Sequence, residues 1–221
     1  AAKNPVKLVA VTADEPVARR HLVDLGKCND CHDQLSFHGS LRNQIDYCVV
    51  CHNPTVSDIR RRPEDVSGGE SVSFAYMIHK IHTGHELEQD YTVYGYGNRP
   101  HDYNEVLFPG RRKECSICHV EEVPSLPISQ HALAINFVDK EGEEVNIPAT
   151  TAACTSCHDM RDVVAHAKLN TTSNGVESCA VCHRTGRHAS VEMAHEQDVF
   201  LHVSEQIGPP DTSINFWDLH R

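Results

Sequence analysis

The sequence is short of the apolar material from which a 221-residue chain builds its own interior. Hydrophobic residues make up 39% and aromatics 6%, with one Trp, three Met and a mean hydropathy of -0.43. A chain of this length ordinarily buries roughly 70% of the surface its unfolded form exposes. The shortage predicts that something other than side chains fills the middle. Long apolar runs are missing too. The best, 132–138, is broken by Asn136 and falls far short of the roughly 18 residues that a membrane-spanning helix needs, so no transmembrane segment is expected. There is no signal-peptide pattern and no lipid-ready Cys at position 1, so the start at Ala1-Ala2-Lys3 reads as a processed or excised piece. Positive charge is in deficit, with 20 Lys and Arg against 31 Asp and Glu for a formal charge of -11. That balance disfavours nucleic acid and anionic membrane as partners. It suits cationic or metal-bearing ones, or simple solubility.

Cysteine and histidine are abundant instead, at ten and 17. All ten cysteines fall into one pattern, C-x-x-C-H, five times over: Cys28/Cys31/His32, Cys48/Cys51/His52, Cys115/Cys118/His119, Cys154/Cys157/His158 and Cys179/Cys182/His183. Below they are motifs I to V. Disulfides do not require a His after every second Cys. A structural zinc site would need a second Cys pair or two distant His to complete its tetrahedron. The pattern is the one that attaches haem c. Two thiols three positions apart form thioethers to one macrocycle, and the next residue, His, is held beneath the iron. Five covalently bound haems c are therefore expected, with the motif histidines as proximal ligands. Such attachment takes place outside the bacterial cytoplasm, so a periplasmic or cell-surface location goes with the motif. Calcium among the acidic loops is an open reading with no motif behind it.

The sixth iron position has twelve remaining histidines to draw on, against Met77, Met160 and Met193. Bis-His ligation is expected, which lowers potentials relative to Met/His and closes the iron to substrates. His79 and His82, three apart on one helix, lie about 5–6 Å from each other at Cβ and would serve two different irons. His38 after motif I and His166 after motif IV are the next distal candidates. His195 is the fifth, with His202, His188 and His131 as rivals. His21, His85, His101 and His220 read as solvent-facing or propionate-pairing.

The expected fold is a mostly irregular chain with a few short α-helices wrapped around five haems, and little β structure. Residues 1–22 form an N-terminal segment with a short strand at Val6 to Val11. Residues 23–203 are the haem-binding domain, and 204–221, with Trp217, are a tail that is a candidate assembly contact. One helix is marked by Phe74, Met77, Ile78 and Ile81 at i, i+3, i+4, i+7, capped by Ser71 or Ser73 and ended by Gly84. Others are expected from Asp159 to Leu169 and from Val191 to Val203. Residues 91–109 read as a long surface loop.

With these residues in hand, the chain resembles the outer-membrane decahaem cytochromes of metal-reducing bacteria, the OmcA/MtrC family. The likeness rests on Val23-Asp24-Leu25-Gly26-Lys27-Cys28, Leu35-Ser36-Phe37-His38-Gly39, Cys48 to Pro54, Met77-Ile78-His79-Lys80-Ile81-His82, Glu105 to Pro109 and Ala153 to Asp159. It runs over about residues 20 to 195 and covers one of the family's two pentahaem units. The resemblance implies bis-His haems with His38, His79, His82, His166 and His195 as distal ligands. It implies exposure at the outer-membrane surface and electron delivery to ferric minerals, metal complexes or flavins. The implied partners are other multihaem cytochromes or an outer-membrane electron-transfer complex, with self-assembly through the tail as a further expectation. The main activity expected is electron relay rather than enzymatic conversion. The rival is a pentahaem reductase with one open haem iron, although the Lys-bearing C-x-x-C-K variant of such enzymes is absent.

Overall fold

A computed structural model describes residues 4–120 and 125–195. Short helices carry most of the order: α1 (Leu25–His32), α2 (Ile45–Cys51), α3 (Phe74–Thr83), α4 (Ala149–Thr155), α5 (Arg161–Leu169), α6 (Ala180–His183) and α7 (Val191–Ala194). Between α3 and α4 lie two antiparallel hairpins. β1 (Thr92–Tyr94) pairs with β2 (Pro100–Asp102), and β3 (Ile135–Val138) pairs with β4 (Glu144–Ile147) in the register Ile135 to Ile147.

The interior is polar. Among the described residues, Tyr91, Val93, Ile135 and Ala152 are the buried apolar ones, against thirteen buried polar or charged ones that include Asp58, Lys80, Asp159 and Glu192. Buried polar groups persist only when hydrogen-bonded, and here the bonds tie distant segments together. The Asp58 carboxylate takes the Arg62 guanidinium at 2.9 Å and accepts the amides of Glu70 at 2.9 Å and Tyr94 at 3.0 Å. Glu177 caps the start of α4 from outside the helix, accepting the amides of Thr150 at 2.8 Å and Thr151 at 2.6 Å. Such a carboxylate at a helix N-terminus satisfies amides that have no partner within the helix.

Helix α3 follows the expected bounds, with Ser73 at its N-cap position and Gly84 ending it at φ 52°. A Cβ on Gly84 would lie 2.2 Å from the Val106 carbonyl oxygen, so only glycine fits that turn. The apolar stripe of α3 is only half-buried, however, and its fully buried residues are Lys80 and Thr83. The helix predicted from Asp159 begins two residues later, at Arg161. The one predicted from Val191 is observed over Val191–Ala194, and its remainder lies outside the described residues.

Two expectations are corrected. Val6 to Val11 forms no strand. Its β-branched residues lack a neighbouring ladder to pair with, and Val9 and Val11 are 69% and 92% exposed. Residues 91–109 are not a surface loop. Tyr91 is fully buried and donates its hydroxyl to the Ser71 carbonyl at 2.8 Å, and the following residues form the β1–β2 hairpin.

Candidate functional site

Each C-x-x-C-H motif occupies a helical turn. In motifs II to V the histidine amide donates to the carbonyl of the first cysteine at 2.9 Å, and motif I lies inside α1. Positions i, i+3 and i+4 of a helix share a face, so both thiols and the imidazole project to one side. All ten thiols are free. Burial pushes the Cys28, Cys48, Cys115, Cys118 and Cys179 thiols above the usual range, and Cys154 up to about 11.

The five motif histidines each face a second imidazole. Ring centres are 6.0 Å apart for His32 and His82, 6.0 Å for His52 and His38, and 6.1 Å for His119 and His79. They are 6.0 Å apart for His158 and His195 and 6.1 Å for His183 and His166. A metal–imidazole bond of about 2 Å, taken on both sides of one atom, separates two ring centres by about 6 Å. The donor set, its pairing and its spacing therefore fit five bis-His haems. Among the described residues no three Cys, His, Asp or Glu side chains converge as a metal cage, and the histidines come in twos. His21, His85, His101, His131 and His188 are exposed and face no motif histidine. His202 and His220 lie outside the described residues.

Local structure aims several of these rings. His82 and His195 hold Nδ1 against the carbonyl four residues back, Ile78 at 2.8 Å and Val191 at 2.7 Å. His52 does the same with Val72 at 2.9 Å, and His183 with Ala189 at 2.7 Å. An Nδ1–H given to a carbonyl leaves Nε2 unprotonated and turned outward, as a metal ligand requires. The residue presenting the second ring to motif II, His38, has a positive φ of 53°, in a turn with Gly39 and Ser40 at 74° and 61°. Burial and the neighbouring His119 and His82 hold His79 near 4, so it is neutral at pH 7. Burial also lowers His52, His119 and His158.

Sequence reasoning missed the buried ion pair between these rings. Lys80 lies between His79 and His82 on α3, and its ammonium meets Asp159, next to His158, at 3.1 Å. Asp159 also accepts the Glu88 and Gln89 amides at 2.9 Å each, and these bonds together hold its carboxyl below the ordinary value despite burial. The spacing carried no signal for it, because Lys80 lies off the Phe74, Met77, Ile78, Ile81 stripe and a lysine there reads as solvent-facing.

The motifs adjoin one another through shared segments: His38, just after motif I, faces His52 of motif II; His82 and His79 of α3 face motifs I and III; the Thr83 hydroxyl at the end of α3 donates to the Cys157 thiol of motif IV at 3.3 Å; and motifs IV and V exchange His166 and His195. Motif I also pairs with motif III through the Val23–His119 backbone bridge and through the Lys27 ammonium, which donates to the Ser116 carbonyl at 2.6 Å.

Comparison with solved structures finds the crystal structure of the outer membrane decaheme cytochrome OmcA at 26% identity and a TM-score of 0.53. The match covers 83% of this chain and 25% of that one, so the chain spans about a quarter of the length of this relative. Among curated proteins no sequence matches. The family model described as "Outer membrane cytochrome MtrC/MtrF-like, domains II/IV" matches residues 20–196. With that match over most of its length, and with short helices and little sheet, the chain belongs to the MtrC/MtrF-like outer membrane cytochrome family.

Proposed function

We propose that residues 23–203 form a five-haem electron conduit of extracellular respiration. Cys28, Cys31, Cys48, Cys51, Cys115, Cys118, Cys154, Cys157, Cys179 and Cys182 would hold the haems by thioether bonds. His32, His52, His119, His158 and His183 would bind from one side, and His82, His38, His79, His195 and His166 from the other. Bound haem supplies a one-electron couple at each site. The chain's own residues do the rest: paired imidazoles close both faces of every site, carbonyls orient the rings, and the Lys80–Asp159 pair holds α3 against motif IV. The observation that carries this reading is the five-fold repetition of a motif histidine facing a second histidine at 6.0–6.1 Å. No motif is left with a free side, which favours relay over a reductase with an open iron. The names of the family and of the OmcA relative support placement at an outer-membrane surface. Partners there would be other multihaem cytochromes or an outer-membrane complex, and acceptors would be ferric minerals, metal complexes or flavins.

The test is the mass and the electron paramagnetic resonance of the purified ferric protein. The reading expects five added haems and low-spin signals only. A bare polypeptide mass overturns it, and a high-spin fraction that shifts with nitrite or sulfite favours the reductase.

A further inference from the structure

The β1–β2 hairpin ends in a tip that packing does not account for. Tyr96 stands there with 89% of its surface exposed, and the Arg61 guanidinium lies over its ring at 5.9 Å. The arrangement is fixed from below. Arg62 stacks over Tyr94 at 5.0 Å, pairs with buried Asp58 at 2.9 Å and donates to the Thr92 carbonyl at 3.4 Å. Asp58 also accepts the Tyr94 amide at 3.0 Å, so residues 58–62 are pinned to the hairpin and Arg61 is held beside its tip. The His101 ring packs so closely against Gly95 that a Cβ there would lie 2.5 Å from Nε2. Arg60, Arg61, Arg99 and His101 are all exposed, and among the described residues no carboxylate pairs with any of the three arginines. The acid on these strands, Asp102, accepts the Asn104 amide at 2.8 Å. Glu64 and Asp65 line a separate groove with Lys140 and Glu141. On a chain of formal charge -11, the tip is an island of positive charge around an open aromatic ring.

We propose that the hairpin tip, through Arg60, Arg61, Arg99 and Tyr96, binds a carboxylate-bearing polysaccharide of the polyuronate class. This goes beyond electron conduction, and none of these residues belongs to a C-x-x-C-H motif or faces one. A guanidinium presents a donor fork that matches a carboxylate. An exposed phenol ring offers a flat apolar face to the C–H side of a sugar. A uronic acid carries both partners on one ring. An acidic protein patch would supply carboxylates but nothing flat for a protruding tyrosine. Charge density separates the remaining anions. DNA carries one negative charge per about 1.7 Å and a phosphate monoester nearly two charges, and the field of an acidic chain repels both. One charge per sugar is the milder load. Each exposed arginine–carboxylate contact is weak by itself, so repetition along a polymer supplies the strength.

The experiment measures binding of the haem-loaded protein to immobilised alginate, a polyuronate, by biolayer interferometry. Neutral dextran, phosphorylated lipopolysaccharide and a single-stranded oligonucleotide are the comparison surfaces. The parent is expected to bind alginate ahead of all three, and more weakly as salt rises. Arg60→Gln/Arg61→Gln/Arg99→Gln is expected to lose at least about tenfold in affinity, and Tyr96→Ala at least about threefold. Lys7→Gln/Arg19→Gln/Arg20→Gln removes the same charge from exposed positions outside the hairpin and is expected to bind like the parent. Haem spectra and melting temperatures are compared throughout. Should the triple hairpin variant fold poorly, Arg99→Gln alone gives the same reading with a smaller loss. Four results each overturn the inference: no preference of the parent for alginate over dextran, tighter binding to lipopolysaccharide or the oligonucleotide, an unchanged Tyr96→Ala, or an equal loss in the variant outside the hairpin.

Discussion

Glu70 carries no charged partner of its own, and burial pushes its carboxyl up to about 7 from the ordinary 4.5, against the pull of Lys80 and Arg62. Between those values the folded chain keeps a proton that the unfolded chain has lost. Its contribution to stability is thus greatest below about pH 4.5 and is lost as pH rises through 7, by up to about 3 kcal/mol. Glu70→Gln should flatten that part of the curve, as read from denaturant midpoints between pH 4.5 and 8. An unchanged slope would refute the assignment. Asp159 sets a second expectation. Lys80 is 5% exposed, and removing its carboxylate strands a buried charge. Breaking such a pair costs about 3–5 kcal/mol, so Asp159→Asn should unfold at much lower denaturant than the parent. The double variant Lys80→Met/Asp159→Asn should recover part of the loss. A loss in the double variant equal to that of Asp159→Asn would show that the stranded ammonium is not the cause.

At the scale of elements, α3 matters most, because its two histidines face two different motifs. Its length is set by Gly84, whose φ of 52° and approach to the Val106 carbonyl exclude any side chain. Gly84→Ala must move the Val106 segment or unwind the last turn of α3, at a cost of at least about 2 kcal/mol. His82, two residues earlier, faces His32, so the same variant should perturb the low-spin signal of the site on motif I. A melting temperature and a spectrum identical to the parent's would contradict this account. Helix α4 presents the complementary case. Its N-cap position is Pro148, which offers no cap, and the Glu177 carboxylate serves from 26 to 27 residues away. Loss of such a cap typically costs about 1 kcal/mol. Glu177→Ala is expected to lower the urea midpoint without altering the attached haems, and an unchanged midpoint would mean that solvent caps α4 equally well. The pattern of 3.6-residue periodicity revealed α3 and most of α5. It did not reveal α1, α2 and α6, which have too few apolar positions to mark a face. Nor did it show the β1–β2 hairpin, whose Tyr- and Gly-rich residues look like loop until Tyr91 finds the Ser71 carbonyl.

At the scale of the fold, the four buried apolar residues among those described cannot offset the conformational entropy of ordering them all. Large side chains such as Phe37, Leu41, Leu107 and Leu133 are 58–70% exposed. The proposed haems would be the missing apolar surface, and their covalent attachment would restrain the unfolded chain much as a cross-link does. Protein made without haem attachment should therefore lack a cooperative melting transition and show weak far-ultraviolet helical signal. A compact, cooperatively melting apoprotein would contradict the claim that prosthetic groups replace the core.

The spacing of cysteine and histidine in the sequence was enough to locate five C-x-x-C-H turns, while the five histidines that stand opposite them were candidates among rivals until the fold set each against a motif histidine. That information is local, because thiols at i and i+3 and an imidazole at i+4 share a face in any helical turn. The absence of an apolar core was likewise open to reading from composition alone. Which rings meet was a matter for the tertiary structure. His38 crosses from the end of motif I to motif II, and the residues after motifs IV and V serve each other's histidine. No periodicity encodes such exchanges, since they depend on how separate helices are brought together by Lys80, Asp58, Asp159 and Glu177. The carbonyls that take Nδ1 of His52 and of His183, Val72 and Ala189, belong to the same class. A backbone carbonyl is present after every residue in the sequence, and only the folded path decides which imidazole has one within reach.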